Sequence, residues 1–426
     1  MASTYLTKTF GSAGNRKTWT FSAWIKKTAL DVEQNILMGG NTSYNDAYIR
    51  ITGGNQLRFL MPDGTTTVGT LNTTQVLRDT SAWYHIVCVY DSSNATSSER
   101  MRIYINGNRI TDFSTELYPS QNQDSFNINN ASPHYIGAKH DATTFFDGSM
   151  SHIHFIDGTV YTPSAFGETD ANGVWKIKTD VSVTYGTNGF FILKDSASVT
   201  DQSGNGNNFT IGGGTLTDTL DCPDDVFATL SGIDKYAAGL SNGATTVTNE
   251  NNTSTIVLST LAVNSGKWYW EAKVENSTSG NFNVGIKKTG QNNYGVVGSA
   301  YNSTGWVYAT DGNIYHGGSS ILNTGTTSTV GDIIGFILDM DAGTLKLKKN
   351  GSDIYSGNAV VSSLNTGEHY HVVQGAADSI VSFNFGNGYF GTTAVSSAGT
   401  NASGIGIFEY DVPTGYTALS TKGLNL

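Results

Sequence analysis

Short runs of alternating apolar and polar residues dominate the chain, and most of them end at a turn of Gly, Asn or Asp. Such runs predict β-strands, because successive side chains of a strand point to opposite faces of a sheet. In the run 100–107, Met101, Ile103 and Ile105 would face one side of the sheet, and Arg102 and Tyr104 the other. No stretch has a convincing helical period. The strongest predicted strands are 18–27, 56–64, 83–91, 100–107, 149–158, 266–275, 282–288, 331–341, 344–351 and 380–387.

One of these segments, "VGDIIGFILDMDAGTLKLKKNG" (330–351), contains a D-x-D-x-G run that could begin a calcium loop. A calcium loop of the EF-hand type needs flanking helices and a Glu at its twelfth position, which here is Asn350. The flanking residues are strand-like instead, with Leu345 and Leu347 alternating with lysines. We therefore predict a β-hairpin whose turn contains Gly343 at positive φ.

Composition and charge narrow the possible partners. Charged residues make up 14% of the chain and Pro is scarce at 6, whereas Gly is abundant at 50, which is typical of many short strands joined by tight turns. The net charge of −11 argues against binding nucleic acid or an anionic membrane surface. No signal-peptide core precedes the first strand and no apolar run is long enough to span a bilayer. Cys88 and Cys222 are far apart and favour free thiols over a disulfide.

The predicted strands fall into two groups, which indicates two all-β domains in tandem. We place the first domain at 1–211, a linker at 212–221 ("GGGTLTDTLD") and the second domain at 222–426. Strand lengths and turn spacing favour β-sandwiches of jelly-roll-like form. No 20-to-50-residue repeat indicates a solenoid or propeller.

The second domain resembles a SPRY domain. The residues that carry the resemblance are "GKWYWEAKV" (266–274), "VGI" (284–286), the 331–351 hairpin, "FNFGN" (383–387) and "DVPTGYTALS" (411–420). They keep the order and spacing of the family over about 200 residues. The resemblance implies a bent two-sheet sandwich that acts as a recognition module without chemistry of its own.

The first domain resembles laminin-G or concanavalin A-like domains. The matching residues are "WTFSAWIKK" (19–27), "WYHIVCVYD" (83–91), "MRIYINGNRI" (101–110) and "YIGAKHDATTFFDGSMSHIHFID" (135–157). The motif "DQSGNGNNFT" (201–210) resembles one found at the start of such domains, yet here it lies near the end. This departure implies a permuted order, with the last strand lying beside the first.

The tandem as a whole resembles virion structural proteins of tailed bacteriophages, especially marine ones. It implies a fibre, spike or capsid-decorating protein that is made in the host cytoplasm and assembled into the virion. Its partners would be other capsid or tail proteins and host-surface glycans, and homo-oligomers are expected because decoration sites are symmetric and multivalent.

We looked for catalytic and metal-binding groups among the acids and histidines. Glu271 and Glu275 share a strand face, but four residues separate them by about 13 Å, too far for a retaining glycosidase pair. The pairs His152/His154 and His369/His371 could each offer two ligands, whereas a structural zinc site needs four. We therefore predict no catalytic residue, no cofactor and no metal. A structural calcium ion held by Asp46, Asp141 and Asp147 is a further hypothesis, against the alternative that these are solvated turn acids.

Aromatic residues in polar loops are the candidate ligand contacts, because aromatic faces stack on sugar rings and partner side chains. The predicted ligand-binding residues are Tyr294, Tyr301, Trp306, Tyr308 and Tyr315 in the second domain, and Tyr44, Asp46 and Phe145 in the first. For Trp306 and Tyr308 the alternative is core packing, since they alternate on a predicted strand.

Taken together, the residues and the resemblance predict a non-enzymatic virion surface protein that displays recognition modules for glycan or protein. Two alternatives stay open: a glycan depolymerase built on the first sandwich, and a SPRY-type adaptor that binds a peptide of a partner protein.

Overall fold

The fold is described from a computed structural model. It covers residues 3–41, 46–195, 198–236, 238–248, 255–277, 283–290, 304–375 and 379–425. The chain divides into two compact units, 1–218 and 219–426. Within the described ranges both units are built of strands, with 3₁₀ turns at Ser97–Glu99, Pro163–Ala165, Tyr355–Gly357 and Gly423–Asn425 and no α-helix. A search of these residues for a helix of the length and hydropathy needed to cross a bilayer finds none.

The first unit is a sandwich of an eight-stranded and a six-stranded antiparallel sheet, with strand orders β10-β6-β5-β4-β3-β11-β1-β16 and β15-β12-β2-β7-β8-β9. A small hairpin, β13-β14, lies outside both sheets. The strands are β1 (Tyr5–Thr9), β2 (Thr18–Lys27), β3 (Gln34–Gly39), β4 (Ala47–Ile51), β5 (Gln56–Pro62), β6 (Thr67–Val76), β7 (Tyr84–Asp91), β8 (Met101–Ile105), β9 (Asn108–Arg109), β10 (Phe113–Leu117), β11 (Pro133–Ile136), β12 (Gly148–Asp157), β13 (Gly167–Thr169), β14 (Trp175–Ile177), β15 (Phe190–Ile192) and β16 (Thr210–Gly213).

Between the two sheets lies an aromatic-rich core centred on Trp19. Its indole stacks on Tyr90 with ring centroids 5.6 Å apart and meets Phe59 edge-on. The predicted alternation in β8 is confirmed, because Met101, Ile103 and Ile105 belong to this core whereas Tyr104 belongs to a separate cluster. Cys88 is a buried free thiol, and Cys222 is free as well.

The motif at 201–210 forms a turn organised by Asp201 and leads into β16. The Asp201 carboxylate accepts hydrogen bonds from the backbone N–H groups of Phe191, Ser203 and Asn207 at 2.8–2.9 Å. β16 then pairs antiparallel with β1, so the predicted adjacency of the last strand and the first is confirmed. Because β16 extends to Gly213, the proposed linker 212–221 begins within the first sandwich, and the unit boundary falls at 218/219.

The outer face of the six-stranded sheet is covered by chain rather than solvent. Residues 158–189, the first covering segment, contribute Val160, Tyr161, Phe166 and Tyr185, which pack on outward side chains of the sheet such as Val87. This coverage explains why β7 is buried at almost every position, and why it reads as a continuous apolar run rather than an alternating one.

The second unit has a seven-stranded sheet, β17-β20-β29-β22-β23-β24-β25, and an eight-stranded sheet, β18-β19-β30-β21-β26-β27-β28, with β33 parallel to β21. β31 and β32 form a separate hairpin. The strands are β17 (Leu230–Tyr236), β18 (Gly239–Ser241), β19 (Thr246–Thr248), β20 (Ile256–Val263), β21 (Lys267–Ser277), β22 (Asn283–Lys288), β23 (Gly305–Ala309), β24 (Asn313–His316), β25 (Ser319–Asn323), β26 (Ile333–Asp339), β27 (Thr344–Lys349), β28 (Ser352–Asp353), β29 (Tyr370–Gln374), β30 (Ser379–Asn384), β31 (Tyr389–Phe390), β32 (Thr393–Ala394) and β33 (Thr417–Ala418).

The D-x-D-x-G run closes a hairpin, as predicted. β26 pairs with β27 antiparallel, with Asp339 opposite Thr344, and Gly343 has φ of +64°. A Cβ at Gly343 would lie 2.6 Å from the Leu364 carbonyl oxygen, so both the backbone angle and the space require glycine. Leu345 and Leu347 are buried, whereas Lys346 between them is exposed.

The eight-stranded sheet of the second unit also has a covered outer face. Residues 399–420, the second covering segment, place Phe408, Val412 and Ala418 against Tyr269 and Ile337 of the sheet. The ring of Phe408 meets that of Tyr269 edge-on at 4.9 Å.

A buried carboxylate, Glu271, ties the second covering segment to the sheet. Its Oε1 accepts hydrogen bonds from the Tyr410 N–H at 2.9 Å and the Tyr269 hydroxyl at 3.0 Å. Its Oε2 accepts from the Glu409 N–H at 2.9 Å and the Asn384 side-chain amide at 3.3 Å. Burial raises the pKa of Glu271 to about 7, against the opposing effect of these four donors. Four donors converge here, and only an ionised carboxylate accepts from all of them.

We expect Glu271→Gln to destabilise the second domain by about 1–3 kcal/mol at about pH 8, because an amide leaves at least one backbone N–H without an acceptor. The matched control is Glu275→Gln on the same strand. Glu275 is partly exposed and pairs with Lys273 at 3.2 Å, a contact worth about 0–1 kcal/mol. Urea unfolding, with hydrogen exchange at residues 405–415, would measure both variants. Equal stability of the two would show that Glu271 does not anchor the segment.

Candidate functional site

A groove of about 480 Å³ opens on the first domain where two hairpins meet. One hairpin joins β8 to β9 through Asn106 and Gly107, which have φ of +49° and +81°, the left-handed geometry that Asn-Gly turns supply. The other hairpin is β13-β14. The lining residues are Trp83, Asn106, Gly107, Asn108, Thr169, Gly173, Val174 and Trp175.

Trp175 packs closely against two glycines. A Cβ at Gly107 would lie 2.7 Å from the indole Cε3, and one at Gly167 would lie 2.5 Å from the indole Cζ2. The turn before Trp175 is held by Asp170, whose Oδ1 accepts the N–H groups of Asn172 and Val174 at 2.9 Å. The indole therefore has a fixed position in the groove.

A buried histidine sets the direction of the indole N–H. Trp175 Nε1 donates to His85 Nδ1 at 3.0 Å, and His85 Nε2 lies 2.9 Å from the Ser22 hydroxyl. Because an indole nitrogen only donates, Nδ1 must accept and the ring proton resides on Nε2. Complete burial lowers the pKa of His85 to about 3, so the neutral tautomer persists throughout the physiological range. His85 also stacks on Trp24 at 4.8 Å and on Trp175 at 5.9 Å.

The groove combines aromatic surface with neutral polar groups. Trp83 and Trp175 supply rings, Asn108 and Thr169 supply exposed polar side chains, and Val174 is 53% exposed at the rim. None of its lining residues is charged. This set of groups suits a neutral ligand that has both apolar faces and hydroxyls.

Of the predicted ligand contacts in the second domain, the three that the structure describes do not share one surface. Tyr308 is buried in the core and donates its hydroxyl to the Thr326 carbonyl at 2.7 Å. Trp306, on the same side of β23, is half-buried and stacks on His316 at 4.2 Å. Tyr315 packs with Val307 on the opposite face of the sheet and donates its hydroxyl to Asp311 at 2.7 Å. The core-packing alternative thus describes Tyr308, whose ring has no free face for a ligand. Tyr294 and Tyr301 lie outside the described residues.

In the first domain, the structure brings together the two loops from which Asp46 and Phe145 were predicted. Asp46 Oδ1 lies 3.1 Å from His140 Nδ1. The ring of Phe145 lies 6.1 Å from that of Tyr5, which in turn lies 6.4 Å from Tyr135. Burial raises the pKa of Asp46, against the influence of His140. Tyr44 lies outside the described residues.

The acids proposed for calcium have protein partners. Asp141 pairs with Lys139 at 3.1 Å, and Asp147 accepts the Thr28 hydroxyl at 3.0 Å. In the part of the chain that the structure describes, His, Cys, Asp and Glu form no group of three that could hold a metal ion.

The histidine pairs have protein partners too. His154 stacks on Phe191 at 3.9 Å and lies 2.8 Å from the Tyr185 hydroxyl. His371 Nδ1 lies 2.8 Å from the Ser259 carbonyl oxygen. Burial lowers the pKa of both imidazoles.

Comparison with known proteins assigns each sandwich to a family. Residues 2–164 match the model of the concanavalin A-like lectin/glucanases superfamily, and residues 267–388 match the SPRY domain model. The chain carries a concanavalin A-like domain followed by a SPRY domain. No curated protein matches the chain.

Among solved structures, the SPRY domain of human HERC1 is 22% identical, with 36% of this chain and 96% of that chain covered and a TM-score of 0.32. A human SPRY domain is 15% identical, with 35% and 95% covered and a TM-score of 0.28. The TRIM65 PSpry domain is 12% identical, with 37% and 91% covered and a TM-score of 0.29.

Sequence reasoning missed the groove, although the residues that form it carried a signal. "NGN" (106–108) marks a tight turn, and Trp175 is an isolated aromatic in a polar segment, "DANGVWKIK" (170–178). The contact between them depends on the path of the first covering segment, which has no periodic pattern.

Gly107→Ala should destabilise the first domain more than Gly173→Ala does. Both glycines have φ of +81°, so a methyl group strains the two backbones alike. Only the methyl group added at Gly107 clashes with the Trp175 ring, since a Cβ at Gly173 meets nothing within 4 Å. The additional loss should be about 1–3 kcal/mol, measured by urea unfolding. Equal losses would mean that the indole moves aside freely.

Proposed function

We propose that the protein is a non-enzymatic recognition protein that binds a neutral carbohydrate in the groove of its first domain. The observation that carries this proposal is the fixed Trp175 ring beside the uncharged side chains of Asn108 and Thr169. A sugar ring can stack its apolar face on an indole while amides and hydroxyls bind its hydroxyl groups. The description of the matching superfamily, which names lectins and glucanases, is consistent with such a ligand.

The fixed position of Trp175 supports ligand binding in this groove rather than at the aromatic loop residues predicted from the sequence. Ordering a side chain on binding costs about 0.5–1.5 kcal/mol, and Trp175 is already ordered by Gly107, Gly167 and His85.

The non-enzymatic part of the proposal is supported by the position of Glu271, whose oxygens are buried beneath the Glu409–Tyr410 backbone. A polysaccharide chain would have no access to that carboxylate.

We expect Val174→Asp and Trp175→Ala to weaken glycan binding about tenfold or more, because the first adds charge to the rim and the second removes the stacking surface. The matched control is Val32→Asp, another exposed valine of the same domain (46% exposed, against 53% for Val174). A glycan array followed by titration calorimetry would measure all three. Retained binding in the groove variants, or binding of acidic glycans alone, would contradict a neutral-sugar groove.

We further propose that the protein acts on the surface of a tailed-phage virion as a homo-oligomer, bound to capsid or tail proteins. This part of the proposal rests on the resemblance of the tandem to virion proteins. The second domain would then supply the contact to a neighbouring virion protein, because its resemblance to SPRY domains implies a recognition module.

Mass spectrometry of purified particles tests this placement. We expect the chain to be a stoichiometric component that survives density-gradient purification, and a C-terminal label should appear at the capsid or tail in cryo-EM. Recovery from the lysate alone, with none in particles, would contradict the virion assignment and leave the carbohydrate groove to be judged separately.

A further inference from the structure

A buried lysine joins the two sheets of the first sandwich. Lys27 is the last residue of β2 in the six-stranded sheet, and Asn55 lies in the turn between β4 and β5 of the eight-stranded sheet. Their exposed fractions are 0% and 1%. Lys27 Nζ donates a hydrogen bond to Asn55 Oδ1 at 2.7 Å.

This environment favours the neutral amine of Lys27. The acceptor is an uncharged amide rather than a carboxylate, and burial disfavours the charged ammonium form. Burial lowers the pKa of Lys27 to about 8, with the Arg78 charge acting in the same direction and Asp31 in the opposite one. A neutral lysine amine is a nucleophile.

Asp31 completes the arrangement around the Asn55 amide. Asn55 Nδ2 donates to Asp31 Oδ1 at 2.7 Å, and the Asp31 backbone N–H donates to Asn55 Oδ1 at 3.1 Å. The amide oxygen therefore receives two donors and the amide nitrogen lies against a carboxylate. Since a C=O bond is about 1.23 Å long, Lys27 Nζ lies within about 4 Å of Asn55 Cγ.

We propose that Lys27 and Asn55 form an intramolecular isopeptide bond, with Asp31 as the proton-transfer group. The Nζ lone pair attacks Cγ and forms a C–N bond, and negative charge develops on Oδ1, where the Asp31 N–H stabilises it. Asp31 takes a proton from the attacking nitrogen and gives one to Nδ2. The Cγ–Nδ2 bond then breaks and ammonia leaves. The step needs no oxidant and no co-reactant.

Such a bond would link the sheets covalently through a closed loop of residues 27–55. Cross-links of this kind limit the conformations of the unfolded chain. The proposal is independent of carbohydrate binding, because none of its three residues lines the groove.

The test is the mass of the purified full chain after incubation at about pH 8, where about half of the Lys27 amine is neutral. We expect a mass lower than that of the sequence by one ammonia, and a tryptic peptide in which the segments around Lys27 and Asn55 are joined. Recovery of both segments as separate, unmodified peptides after prolonged incubation of the folded protein would overturn the proposal.

Variants separate this reaction from other losses of ammonia. Lys27→Arg keeps a cation but removes the nucleophile, and Asp31→Ala removes the proton-transfer group at an exposed position; both should have the uncrosslinked mass at this site. Lys26→Arg is the matched control, because Lys26 is equally buried (1% exposed) yet faces the other side of the strand, and it should keep the cross-link. Succinimide formation at Asn-Gly sites also releases ammonia, and would persist in Lys27→Arg.

Discussion

Each sandwich depends on one constraint: an irregular segment that covers the outer face of a sheet must have its own backbone polar groups paired. A strand run buried on both faces needs such a cover, and a cover with little regular structure can pair only part of its N–H groups internally. In the second domain Glu271 solves this problem directly, since one carboxylate accepts two backbone N–H groups of the segment. In the first domain the cover pairs part of its backbone in the β13-β14 hairpin, and the Trp175–His85–Ser22 chain of hydrogen bonds also positions it.

The same constraint explains what could be predicted from the sequence. Strand runs such as 18–27 and the hairpin at Gly343 depend on local periodicity and turn chemistry, and the structure has them within one or two residues of the predicted bounds. The adjacency of β16 and β1 followed from the displaced 201–210 motif. The covering segments did not follow, because nothing periodic in 158–189 or 399–420 specifies the face on which they pack.

Candidate sites were less predictable because the exposure of a side chain depends on which distant part of the chain packs over its face of the sheet. Alternation on a strand places Trp306 and Tyr308 on one face, but whether that face is open depends on the opposite sheet, and Tyr308 is buried by it. Lys27 illustrates the reverse case. A lysine at the end of a strand is ordinarily solvated, and its burial depends on a turn 28 residues further along the chain. Glu271 and Glu275 have the same spacing from Lys273 in sequence, yet the covering segment buries only the first.

Burial has different consequences for the polar side chains of His85, Glu271 and Lys27. At His85 it fixes a neutral tautomer that keeps a tryptophan in place, and at Glu271 four donors offset part of the cost of burying a charge. Lys27 has no comparable set of partners, since a neutral amide is a weak counterpart for an ammonium. Amide formation would replace the disfavoured cation by an uncharged group whose oxygen could still accept the Asp31 N–H. The burial that lowers the pKa of Lys27 would therefore favour the product as well as the nucleophile, which makes the interior of the sandwich a favourable environment for this reaction.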